Sequence, residues 1–169
     1  MKAEGVRLMT RTRETTEKTK PRVGLTSGVV DDTRILIVCD DDPITECLKT
    51  VFREAGFSWK TAKNMTEGCE SAKSGRFQLV VCPPLLSDGS WRRLIEVADH
   101  YGLSFEVVLL ARNFDLNEWA QALKDGAFDV LDVISELPKA VEVATGAFRA
   151  ALLKRSQPRK QAAYSGRVA

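Results

Sequence analysis

The chain has 169 residues, 44% of them apolar and 28% charged, the size and composition of one folded domain with a real core. No apolar run approaches the ~18 residues of a membrane-crossing helix. The charged amino terminus has no apolar stretch behind it, which argues against a secretory signal and for a cytoplasmic protein. Cys39, Cys47, Cys69 and Cys82 show no CxxC spacing and share the chain with one histidine, His100, so the pattern favours buried thiols over a zinc cluster.

Charge is unevenly spread. Residues 1–33 carry seven Lys/Arg against five acids, residues 34–153 thirteen against eighteen, and residues 154–169 five against none. The first 33 residues lack periodic apolar positions and are read as a disordered extension. The folded domain is expected over 34–154, and 155–169 are read as a basic, solvated tail rather than a nucleic-acid contact.

From Arg34 onward, strand and helix signals alternate. Ile35–Cys39 is an unbroken apolar run, as in a sheet covered on both faces. The cluster Asp40, Asp41, Asp42 follows, then a helix from Pro43 to Ala55 with an apolar stripe at Ile44, Leu48, Val51 and Phe52, closed by Gly56. Phe57–Ala62 reads as a shorter, more polar strand, and Thr66–Ser74 as a weak helix ending at Gly75. Phe77–Cys82 is the third strand. Trp91, Leu94, Ile95 and Ala98 mark a helix that stops near Gly102. Phe105–Ala111 is the fourth strand, and Leu116, Trp119, Ala120 and Leu123 form the next helical stripe, closed by Gly126. Phe128–Val133 is a short fifth strand. The last helix spans Leu137–Lys154, with Val141, Ala144, Phe148, Ala151 and Leu152 on its inner face. This alternation predicts an α/β, flavodoxin-like doubly wound parallel sheet of five strands in the order 2-1-3-4-5.

In that topology the carboxyl ends of strands one and three meet at the switch point. Three adjacent acids there repel one another, which a divalent cation such as Mg²⁺ would relieve, whereas a single helix cap would need only one of them. Pro83 and Pro84 end the third strand. Neither supplies an acid, a base or a nucleophile.

The segment "RILIVCDDDPITECLKTVFREAGF" resembles the opening of a response-regulator receiver domain, CheY-like, and "FQLVVCPPLLSDGSW" resembles its third strand and following loop. "EVVLLARNFDLNEWAQALKDGAFDVLDV" is similar to its fourth strand, fourth helix and fifth strand. The resemblance runs over residues 34–154 and implies a two-component or phosphorelay signalling protein. Such domains take a phosphoryl group from a histidine kinase onto an aspartate, hold Mg²⁺ with an acidic pair, and read the phosphate with a hydroxyl residue and a lysine. Carried over by position, Asp40 and Asp41 match the acidic pair as a vestigial metal site. The acceptor falls on Pro83, the hydroxyl on Leu110 (Ala111 if the register slips), the lysine on Val133, the following cis-proline on Ile134 and the aromatic switch residue on Val130.

Acyl-phosphate formation needs a carboxylate nucleophile and cationic donors around the transferred oxygens. Pro83, Leu110 and Val133 supply neither, so the domain reads as a pseudo-receiver whose pocket has partly closed into core. Asp88 is read as the turn residue capping the helix that follows it, and Cys82 as a core thiol facing away from Pro83. Trp91 and Trp119 are read as core or half-buried packing.

The expected role is that of a stand-alone, non-enzymatic response-regulator domain acting by protein–protein contact, independent of phosphorylation. It would meet a signalling protein or itself through the fourth helix, fifth strand and fifth helix. Phe114, Trp119, Val130, Val133 and Ile134 are the interface candidates. No cofactor is required on this reading, with room left for weak Mg²⁺ binding. Two rivals remain. One is a small metal- or nucleotide-binding enzyme using Asp40–Asp42, which lacks a Gly-rich phosphate loop and any histidine or lysine joining the cluster. The other is a nucleic-acid-associated regulator using the basic tail.

Overall fold

The computed structural model describes residues 34–157. The amino-terminal extension predicted for 1–33, and the tail from residue 158 onward, lie outside the described residues.

Five parallel strands form one sheet: β1 (Ile35–Val38), β2 (Trp59–Ala62), β3 (Leu79–Cys82), β4 (Glu106–Ala111) and β5 (Asp129–Asp132). Their spatial order is β2-β1-β3-β4-β5, the doubly wound order expected from the sequence. Every residue of β1, β3 and β4 is buried, which explains why these strands are apolar throughout, apart from Glu106 at the start of β4, rather than alternating. Each fully buried aliphatic side chain there contributes about 2 kcal/mol of transfer free energy.

The helices cover both faces. On one face, Leu48 and Phe52 of α1 (Asp42–Glu54) and Ala144, Ala147 and Phe148 of α5 (Ala140–Ser156) pack on Ile35, Ile37, Leu79, Val81 and Leu110. On the other, Met65, Cys69 and Ala72 of α2 (Met65–Ala72) and Leu94 of α3 (Arg92–Tyr101) pack on Leu36, Val38, Val80, Cys82 and Leu109. The approach of α2 is closest at Gly68, where a Cβ would lie 2.7 Å from a Val38 methyl. Gly102 takes the left-handed conformation that ends α3, at φ 66.

Several local expectations change. α4 (Leu116–Lys124) does not turn its apolar stripe inward: it buries only Ala122, with Leu116 80% and Trp119 40% exposed. On α5, Leu152 faces solvent while Ala147 takes an inner position, and the helix continues through Arg155 and Ser156, which had been assigned to the tail. Trp91 is buried, as expected, but stands at the N-cap of α3 rather than on its stripe. Cys47 is exposed, whereas Cys39, Cys69 and Cys82 are buried thiols. No helix among the described residues is long and apolar enough to cross a membrane.

Candidate functional site

The carboxyl ends of β1, β3 and β4 enclose a cavity of about 350 Å³. β1 delivers Asp40 and Asp41 to it, β3 delivers Pro83 and Pro84, and β4 delivers Leu110, Ala111 and Arg112. Val133, just past β5, and Ile44, in the first turn of α1, complete the apolar wall. The sequence suggested that apolar replacements had partly closed this pocket. Leu110 is buried among core residues, and a space of this size remains beside it.

The three acids have separate employments. Asp41 is the N-cap of α1: its Oδ1 accepts from the Ile44 N–H at 3.0 Å, satisfying one of the helix's orphan donors. Its Oδ2 lies 3.7 Å from the guanidinium of Arg112. Asp42 pairs with the Lys63 ammonium, which lowers the carboxyl pKa and raises that of the lysine, in each case chiefly through their hydrogen bond. Asp40 is exposed. A lysine therefore does join the cluster, contrary to expectation, and an arginine stands beside it. Each is the first residue after its strand, β4 for Arg112 and Lys63 for β2, and that position was the available signal.

This donor set does not fit a resident Mg²⁺. One oxygen of Asp41 is taken by the Ile44 N–H, and the next strand end offers Pro83, which has no side-chain oxygen. Among the described residues no three His, Cys, Asp or Glu side chains are grouped so as to hold a metal ion.

Asp88 does not cap the helix that follows it. It sits in the turn of a short hairpin pairing Leu85–Leu86 with Gly89–Ser90, and its carboxylate accepts from the backbone N–H groups of Met65 and Thr66, each at 2.8 Å. It thus caps α2 from a distance, and these donors pull its pKa down to about 2. The start of α3 is served instead by Ser90, whose Oγ accepts from the Arg92 N–H. Cys82 lies in the sheet core on the face of α2 and α3, where burial pushes its thiol pKa up and leaves no reactive thiolate.

A second concavity, about 460 Å³, lies between α4, β5 and the start of α5. Phe114, Leu116 and Trp119 form its apolar side, and Val130 and Val143 its base. Asp115, Asp129, Asp132 and Glu136 stand around it against the single cation Lys139. Of the interface candidates, Trp119 and Ile134 are exposed, at 40% and 66%, while Phe114 and Val133 are half-buried. Val130 is buried at the base of the groove and presents little surface. The peptide bonds around Ile134 are trans, as are all those described. Sequence reasoning missed Leu116, the most exposed large apolar residue of this face, because its position on a helical stripe implied core.

No family model and no curated protein matches the sequence. Solved structures do match. The receiver domain of the Francisella response regulator 1452 superposes with a TM-score of 0.63 at 17% identity, covering 69% of this chain and 97% of that one. The chain has the fold of response-regulator receiver domains. A CheY-like receiver domain protein from Methanospirillum hungatei gives a TM-score of 0.62 at 19% identity, over 72% of this chain and 98% of that one. The beryllofluoride-activated NtrC4 receiver domain dimer gives 0.63 at 23%, over 70% and 98%. At these identities the likeness is one of fold, and what this receiver-fold chain does rests on its own residues.

Proposed function

We propose that the chain is a signalling domain of the response-regulator kind that acts by protein contact, without accepting a phosphoryl group and without catalysing a reaction. The observation that carries this reading is the strand edge itself. Pro83, Leu110 and Val133 surround the place where phosphoryl chemistry would need a carboxylate, a hydroxyl and an ammonium. The cation this edge does carry, Arg112, faces Asp41 at 3.7 Å, and without an acceptor carboxylate at Pro83 no acyl phosphate can form. Mg²⁺ is dispensable on this reading, and any binding at Asp40 and Asp41 would be weak.

The contact surface we assign is the face of α4, β5 and α5. Leu116, Trp119 and Ile134 expose apolar area there beside a preformed groove, and clustered apolar exposure marks interaction sites. One receiver-fold neighbour, the NtrC4 domain, was solved as a dimer. Self-association through this face is the simplest arrangement, and a separate signalling protein is the alternative.

The test is to incubate the protein with acetyl phosphate and Mg²⁺ and to measure its intact mass. No adduct of about 80 Da, one phosphoryl unit, is expected. A stoichiometric, hydroxylamine-labile adduct, at Asp88 or elsewhere, would overturn the proposal.

A further inference from the structure

The cavity at the strand edge has a property that the contact reading leaves unused. Its floor and walls are apolar, from Ile44, Pro83, Pro84, Leu110 and Val133, yet its mouth carries a carboxylate side and a guanidinium side. Asp40 and Asp41 follow β1 and Arg112 follows β4, with β3 lying between those two strands. Two inter-strand spacings separate the backbones by about 10 Å. Arg112 reaches across Pro83 toward Asp41, and the two charges stop at 3.7 Å, an ion pair longer than a good charge-assisted hydrogen bond. Both partners are partly exposed, so the pair is held weakly and opens at little cost.

We propose that this cavity binds a small apolar zwitterion, of the class of the apolar α-amino acids. The ligand's carboxylate takes the Arg112 guanidinium, its ammonium takes Asp40 and Asp41, and its side chain fills the space over Pro83, Leu110 and Val133. The charge count selects the class. A ligand that enters between Arg112 and Asp41 separates them, and one bearing a single charge leaves one of the two unpartnered. A zwitterion replaces the pair charge for charge. The volume, about 350 Å³, is that of a small-ligand pocket, and its lining is mostly apolar with a few convergent polar groups. Its place, outside the carboxyl ends of the strands at the switch point, is where doubly wound sheets take ligands. The site goes beyond the contact-signalling proposal and does not depend on it. Phe114 lines both concavities, so ligand binding is read at Cys39, Arg112 and Val133 and association at Trp119 on α4.

The test is a ¹H–¹⁵N NMR titration of the full chain with L-phenylalanine and L-leucine as probes. 2-Phenylethylamine, 3-phenylpropanoate and glycine are the comparators, lacking the acid, the amine and the apolar body in turn. Saturable shifts are expected at the amides of Cys39, Ala111, Arg112 and Val133. The amino acids should bind at least about tenfold tighter than any comparator. Arg112→Gln should weaken binding by about tenfold while leaving a dispersed spectrum, and Val133→Phe should block it by filling the cavity without touching a charge. The proposal is overturned by an absence of saturable shifts up to about 10 mM, beyond the range of a weak specific site. It is equally overturned if the amine or the acid alone binds as well, or if Arg112→Gln keeps full affinity.

Discussion

The Nζ of Lys154, in the last turn of α5, lies 3.0 Å from Oε2 of Glu106, the first residue of β4. Glu106 is one of the two buried polar residues among those described, and Lys154 is half exposed. The pair ties the carboxyl end of α5 to the amino-terminal edge of the sheet, opposite the candidate site. A lysine there also suits the negative end of the helix dipole.

Removing the cation leaves a carboxylate buried without its partner. Lys154→Met should cost about 2 kcal/mol in urea denaturation, less than for a wholly buried pair because water reaches the lysine. The double variant Lys154→Met with Glu106→Leu should recover much of that loss. A Lys154→Met variant as stable as the parent would show that solvent already serves Glu106.

Asp88 gives a pH dependence. Its pKa in the folded protein is about 2, against an ordinary 3.8, because the Met65 and Thr66 N–H groups stabilise the charged form. A depressed carboxyl contributes stability that is fully present above the unfolded value and is lost as pH falls through the folded one. Asp88→Ala should therefore melt at a lower temperature than the parent at neutral pH. The gap between them should narrow between about pH 4 and pH 2. A gap that stays constant down to pH 2 would remove the cap from the explanation.

Gly68 tests the packing of α2 on the sheet. A methyl group there meets both Val38 Cγ atoms, at 2.7 and 2.8 Å, and Val38 is fully buried in the sheet core. Gly68→Ala should cost about 1–3 kcal/mol despite the better helix propensity of alanine. A neutral or stabilising result would mean that α2 can lift from β1.

Trp119 separates surface from core. Replacing a half-exposed residue of α4 by lysine should change stability by no more than about 0.5 kcal/mol. Analytical ultracentrifugation of Trp119→Lys should nonetheless show association weakened by about tenfold or more, as truncation of an aromatic anchor does. Unchanged association would move the interface elsewhere.

The fold was legible because β1, β3 and most of β4 are short apolar runs rich in Val and Ile, each bounded by turn residues and alternating with helical stripes. Helix positions followed from stripes and terminal glycines. What a stripe faces is a different matter. Leu116, Trp119 and Ala120 share the 3.6-residue period of a core-facing helix, and period reports a shared side, not what lies against it. Of the positions picked out in the sequence, Asp40, Asp41, Pro83, Leu110 and Val133 line one cavity, while Val130 lies at the base of the other. The electrostatics of the site were not legible. The Arg112–Asp41 and Lys63–Asp42 pairs and the Asp88 cap join residues 71, 21 and 23 positions apart; the place of Arg112 and Lys63 after their strands brings them to this edge, but no local pattern names their partners.

The segment after β3 is fastened at several points. The Trp91 N–H donates to the Pro84 carbonyl at 3.0 Å, Asp88 holds the start of α2, and Arg93 donates to the Asp88 carbonyl and the Thr66 hydroxyl. These contacts tie the segment after β3 to both α2 and α3, so the β3 side of the strand edge is built as a braced socket wall rather than as a free loop.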